Sequence, residues 1–300
     1  METGPLVSVP TWLERLRRSP SALIARQLAA AGIRAEAFQL ADLSRIASLG
    51  PGDLDLEQCD DPVGAPRLAD APAPIRLGAC ERSGRTVVVT FSAADLERAA
   101  ATGARAFVAA GIERGMKVAN TLEGGLETPG SLIVGDALER LRALDVPLGP
   151  VRDEKTAKTI AAMIDRLGVD VLIGDARSAG ALLRELRAAP PRSWRGTVWL
   201  GAERPAEDFG GWWRRWISLP EVSVFLAVEC GRGSLHLDPD VHLEMRAGAP
   251  RLSSLAGDAP LLAYEAGMPI RTAAQACACG DPRTCVEIAD ADLTRPPRTA

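Results

Sequence analysis

The sequence predicts an α/β protein in which helices flank layered sheets, followed by a β-rich carboxyl-terminal part. Short β-branched and apolar runs, "RTVVVTF", "MKVANTL", "VDVLIGD" and "GTVWLGAE", alternate with helical patterns such as "SAADLERAAATGARAFVAAG" and "EKTAKTIAAMIDRLG". That alternation is the mark of a largely parallel sheet covered by helices. From about Glu221 the helical patterns stop, and "EVSVFLAVEC", "SLHLDPDVHLEMR" and "PLLAYEAGMPIRT" read as strands joined by short turns. The bulk composition agrees: 300 residues, 47% hydrophobic and 25% charged, suit one or two globular domains.

The elements follow in order. Thr11 stands three residues before Glu14, a capping-box spacing, and Pro20 restarts a second helix running to Gly32, so residues 1–49 form a helical lead. Residues 50–74 are dense in Pro, Gly and Asp without periodicity and read as a loop or linker. Residues 75–220 make the α/β core, whose ligands are expected beyond the carboxyl ends of the strands. Within it, "TLEGGLETPG" carries Glu123, Gly124, Gly125 and Glu127 at a strand-to-helix turn, which suits either a ligand pocket or a tight turn that needs glycine. "GGWWRRW" spaces Trp212, Trp213 and Trp216 as an amphipathic helix would, with its Trp face on the sheet. Stacking of Trp and Arg on a nucleotide or partner is the alternative. Residues 221–300 are the β-rich part, in which His242 reads as a strand residue.

Charge and leader features exclude several classes. A net charge of −4 without a basic tail argues against nucleic-acid binding. The start, "METGPLVSVPTWLERLRR", has its positive charges after the apolar residues and no unbroken apolar run, so neither a signal peptide nor a membrane span is expected, and the cytoplasm is the expected compartment.

Cysteine usage points to a metal. Four of the six cysteines fall between 230 and 285, and a local cluster in a reducing compartment favours metal or chemistry over crosslinks. Cys230 and His236 form a Cys-x5-His segment, and Cys277 and Cys279 a Cys-x-Cys segment. Two such segments brought together give the four soft ligands of a structural zinc site. Free thiols on a loop beside a surface histidine are the other reading, and Cys285 is a substitute ligand. Cys59 and Cys80 stand apart, and a redox role is less attractive because nothing marks one thiol as nucleophile and no Cys-x-x-Cys precedes a helix.

The order of these segments resembles the phenylacetate-CoA ligase branch of the adenylate-forming enzymes, from the helical lead to about Arg283. "WLERLRRSPSALIARQLAAAGI" looks like that family's opening helices, and "GRTVVVTFSAADLERAAATGARAFVAAGIERGMKVANTL" like the strand and helix after its phosphate loop. "GAERPAEDF" resembles its adenine-contacting segment, which implies roles for Gly201, Ala202 and Glu203. "ECGRGSLHLDPD" and "MPIRTAAQACACGDPR" resemble segments that bind zinc in some members.

The resemblance implies ATP and AMP as cofactors and an acyl or aryl carboxylic acid as ligand, but the departures limit it. In "GACERSGRT" only Ser83, Gly84 and Thr86 keep the phosphate-loop pattern, and Glu81 places a carboxylate where triphosphate would lie. "EVSVFL" stands where a magnesium-holding Glu is expected, with Glu221 a poor substitute, and "PIRTAAQ" lacks the ribose-binding Asp. The chain also ends before the family's small lysine-bearing domain. A non-catalytic acyl-binding or accessory protein with a structural zinc is therefore expected, serving a partner enzyme or self-associating. A shortened AMP-forming carboxylate ligase, completed by a partner chain, is the alternative.

Overall fold

Local hydrogen bonds set the helical lead of this computed structural model, which describes residues 8–64, 66–201 and 210–288. Helix α1 (Val9–Arg18) precedes α2 (Ala22–Ala30), whose start is fixed by the Ser21 hydroxyl accepting from the Ile24 amide at 3.2 Å. Trp12, Leu16, Ile24, Leu28 and Phe38 are buried together with Leu255 and Leu262, so the lead packs on a distant stretch of chain.

Residues 51–60, read from sequence as part of a linker, instead form α3 (Pro51–Asp60). Pro51 sits in the first turn, where no amide partner is needed, and the Asp53 carboxylate accepts from the Gly50 amide at 2.8 Å. The helix is then tied down by Gln58, whose side chain donates to the Val88 carbonyl and accepts from the Val88 amide. A composition of Pro, Gly and Asp here marks a helix start rather than a coil.

A second departure concerns "RTVVVTF". It forms β2 (Arg85–Phe91), which pairs antiparallel with β1 (Arg76–Arg82) in a separate hairpin and takes no place in the parallel sheet. Helix α4 (Ala93–Ala110) follows, and then β3 (Lys117–Asn120), α5 (Ser131–Leu141), β4 (Leu144–Pro147), α6 (Glu154–Leu167), β5 (Val171–Gly174), α7 (Ala176–Ala188), β6 (Gly196–Leu200) and β7 (Trp212–Leu219). These strands lie parallel in the order β4-β3-β5-β6-β7. Period-two alternation divides their side chains. Val118, Val171, Ile173 and Val198 share one core with α4 and α5, whereas Ala119, Leu172, Trp199 and Trp213 share the other with α6 and α7.

"GGWWRRW" is thus strand β7 and not an amphipathic helix. Trp213 and Trp216, three apart, face opposite sides of the sheet. Trp216 stacks on Phe225 at 4.8 Å, packs edge-on against Phe107 and donates its indole N–H to the Val224 carbonyl at 3.0 Å. The parallel partner of Trp212 is Gly196, where a Cβ would lie 2.3 Å from the Trp212 ring, so a glycine on β6 admits the bulk of β7.

The change of pattern at about residue 221 coincides with a change of strand direction inside one sheet. β8 (Ser223–Glu229) and β9 (Leu235–Leu237) continue it antiparallel. The chain then leaves as the hairpin of β10 (Val241–Arg246) and β11 (Ala249–Ser254), and returns as β12 (Ile270–Thr272) and β13 (Cys285–Ile288). Among the described residues nine strands make up this sheet, in the order β12-β13-β9-β8-β7-β6-β5-β3-β4. Of "PLLAYEAGMPIRT" only residues 270–272 are strand. Tyr264 makes isolated bridges to Leu49 and Leu252 instead. His242 lies exposed on β10 opposite Ser253. Among the described residues no helix is long and apolar enough to cross a membrane.

Candidate functional site

The antiparallel end of the sheet assembles the predicted ligand cluster. β9 carries His236, and the turn before it carries Cys230, while β13 pairs beside β9 and returns the loop bearing Cys277 and Cys279. The ligand atoms of Cys230, His236, Cys277 and Cys279 all lie within 4.8 Å of one another. The Cys230 and Cys277 sulfurs are 3.6 Å apart, and Cys279 Sγ is 3.3 Å from His236 Nε2. Tetrahedral ligands at metal distances near 2.3 Å are separated by about 3.8 Å, so this set has the dimensions of a four-coordinate site.

The backbone is arranged for thiolates. The amides of Arg232, Cys279 and Asp281 donate to the sulfurs of Cys230, Cys277 and Cys279, each from two residues further on, at 3.3–3.4 Å. The Ser234 hydroxyl and the Cys279 amide hold the Cys277 thiol down to about 6. Cys285 lies on the other side of the ring, 4.0 Å from His236 Nδ1, and is not one of the four. Cys59 and Cys80 are remote from the cluster. The donor set, three sulfurs and one imidazole, is one that could hold a metal ion, and zinc suits it.

At the other functional end lies an open cleft of ≈ 820 Å³, a volume in the range of small-molecule sites. It opens beyond the carboxyl ends of β3, β5, β6 and β7, bounded by Glu127–Pro129, Asp175–Arg177, Leu200–Gly201 and Ile217–Ser218, with β1 and Met268 closing the side. A separate cavity of ≈ 90 Å³, walled partly by Asp95, Arg98, Asp238 and Asp240, is too small for more than a few waters.

The cleft is charged on its walls. Glu81, Glu127 and Asp175 line it with Arg82 and Arg177. Arg82 Nε donates to Glu221 Oε1 at 2.7 Å, and the same carboxylate accepts from the Tyr264 hydroxyl at 3.1 Å and the Cys80 thiol at 3.3 Å. Glu221 is buried, and burial together with its charge pushes the Cys80 thiol and the Tyr264 phenol up. Arg177 pairs with Glu127, and Arg152 with Glu123.

The nucleotide candidates are scattered. Ser83 and Gly84 form the two-residue turn of the β1–β2 hairpin, with φ of 50° and 74°, and Arg82 pairs directly with Arg85 across it. They sit at the exposed tip, whereas Thr86 and Gly201 line the cleft. Ala202 and Glu203 lie outside the described residues. Sequence reasoning missed Arg177 and the Arg82–Glu221 pair, the latter joining residues 139 positions apart with no local signal.

No protein-family model matches the sequence, and no curated protein matches it. Among solved structures the fold is similar to 2-hydroxyisobutyryl-CoA ligase. In its open conformation with 2-HIB-AMP and CoA the TM-score is 0.76 at 18% identity, over 93% of this chain and 68% of the ligase chain. In its postadenylation state with 2-HIB-AMP the values are 0.72 and 19%, over 86% and 62%. The chain has the fold of the adenylate-forming enzymes. It spans 68% of the ligase chain in the first comparison and 62% in the second, and at this identity the likeness establishes the fold alone. In open α/β sheets ligands bind in the crevice beyond the strand carboxyl ends, and the cleft found here is in that place.

Proposed function

We propose that this chain is a non-catalytic, ligand-binding form of the adenylate-forming fold, which takes an acyl or aryl carboxylic acid in the cleft and carries a structural zinc on Cys230, His236, Cys277 and Cys279. It would serve a partner enzyme or act as a sensor of its ligand. The observation that carries this reading is the β1–β2 turn. A phosphate cradle needs several backbone N–H groups converging on one anion. Here the corresponding stretch is a two-residue turn whose Ser83 and Gly84 do not line the cleft, and the two guanidiniums flanking it, those of Arg82 and Arg85, are already bonded to Glu221 and Asp55. Three carboxylates on the cleft wall further disfavour a triphosphate.

Among the described residues the cleft therefore disfavours ATP and AMP. The ligand left for the site is a singly charged acid with an apolar body, for which Ala79, Leu200, Ile217 and Met268 provide the wall. Zinc, held by four protein ligands, would pin the loop before β13 to the strand beside it and leave no open coordination position for chemistry. The second reading, an AMP-forming carboxylate ligase, draws on Thr86 and Gly201 lining the cleft and on the ligase structures that share the fold.

Calorimetric titration with ATP and magnesium, AMP, and a panel of carboxylic acids decides between them. Acid binding without nucleotide binding supports the first reading. Carboxylate-dependent pyrophosphate exchange above a no-protein control supports the second.

A further inference from the structure

Two guanidiniums line the cleft among the described residues, Arg82 and Arg177, and their partners differ in burial. The Glu221 side chain that holds Arg82 is 2% exposed. Parting a buried pair of this kind leaves an uncompensated charge and is disfavoured on the order of 10²–10³-fold, more than one new ligand contact recovers. Arg177 is the opposite case: its side chain is 73% exposed and that of Glu127 35%. An exposed pair is favoured by a factor of about 1 to 5, so displacing Glu127 costs little beside the gain from a charged hydrogen bond to a ligand held in the cleft.

The surroundings suit such an exchange. The segment carrying Glu127 is fixed to β1 by the Ala79 amide donating to the Leu126 carbonyl and the Thr128 amide donating to the Ala79 carbonyl, so the Glu127 side chain can swing while its backbone stays. Asp175, 4.0 Å from the Arg177 guanidinium, is committed to the start of α7, accepting from the Arg177 and Ser178 amides at 2.9 and 2.7 Å. It does not compete strongly for the guanidinium.

We propose that Arg177 anchors the carboxylate of the cleft ligand and that Glu127 is the internal carboxylate the ligand displaces. This rests on the reading that the cleft takes a carboxylic acid, and it adds the residue that recognises the acid group. An uncharged ligand of the same shape would leave the Arg177–Glu127 pair intact and forgo the anchor.

The test is calorimetric titration of the full chain with benzoate, phenylacetate and hexanoate, and with the three corresponding amides. Wild type, Arg177→Gln, Arg177→Lys and Glu127→Gln are compared, with melting curves confirming that each folds. The expected result is that R177Q weakens acid binding at least about 10-fold, as loss of a charged hydrogen bond does, while amide binding is unchanged. R177K retains part of the affinity, and E127Q binds acids about 2- to 5-fold more tightly. Equal acid affinity in wild type and R177Q overturns the anchor while leaving the cleft as the acid site. Unchanged affinity in E127Q overturns the exchange. Equal binding of acids and amides by wild type also overturns it, and no acid binding by wild type or E127Q removes both this inference and the reading beneath it.

Discussion

Replacing Glu221 by Gln tests whether a protein carboxylate compensates Arg82 at the edge of the cleft. The substitution keeps volume and removes charge. It takes the counter-ion from Arg82, 2.7 Å away, and leaves one carbonyl oxygen where two carboxylate oxygens accepted from Arg82, Tyr264 and Cys80. Breaking a fully buried pair costs about 3–5 kcal/mol. The Glu221 side chain is 2% exposed but that of Arg82 is 22% exposed and can partly rehydrate, so the expected loss is about 2–4 kcal/mol. For a chain of this length unfolding as one unit, that lowers Tm by about 3–6 °C. Arg82→Met alone should cost a similar amount. The double variant R82M/E221Q should recover much of the loss, because no unpaired charge remains and the Gln carbonyl can still accept from Tyr264. Differential scanning calorimetry and urea midpoints read the effect. A melting curve for E221Q that overlays wild type, with no coupling in the double variant, would refute the reasoning.

Elemental analysis of protein purified without chelator should find about one zinc per chain, lost together with thermal stability in Cys277→Ser or Cys279→Ser and retained in Cys59→Ser and Cys285→Ser. In chelated protein, alkylation of Cys277 by iodoacetamide should rise with a midpoint near pH 6. Its folded-state pKa is depressed to about 6, so the reactive thiolate predominates above that pH and is lost below it. Cys80, pushed up by burial beside Glu221, should stay unreactive until the chain unfolds, which mass mapping of the labelled sites resolves. Trp216→Ala should destabilise by about 3–5 kcal/mol in urea titrations, since it empties a fully buried site between Phe107 and Phe225.

What the sequence determined by itself was whatever is encoded over short distances. Runs such as "VDVLIGD" and "EKTAKTIAAMIDRLG" carry their periodicity locally, so the α/β core was legible, and the Cys-x-Cys and Cys-x5-His spacings named the four residues that β9 and the loop before β13 bring together. The tertiary structure decided the rest. Trp213 and Trp216 are spaced like helix neighbours, but pairing with β6 makes them opposite faces of a strand, because a Trp can be buried on either layer of a two-sided sheet. The β1–β2 segment could have entered the parallel sheet on composition alone. Its two-residue turn forces an antiparallel hairpin. Arg82 meets Glu221, and Arg177 meets Glu127, through folds of the chain that no local pattern announces. A charge–charge contact depends on where two backbones come to lie, and that is settled by packing of the whole core rather than by the residues beside either charge.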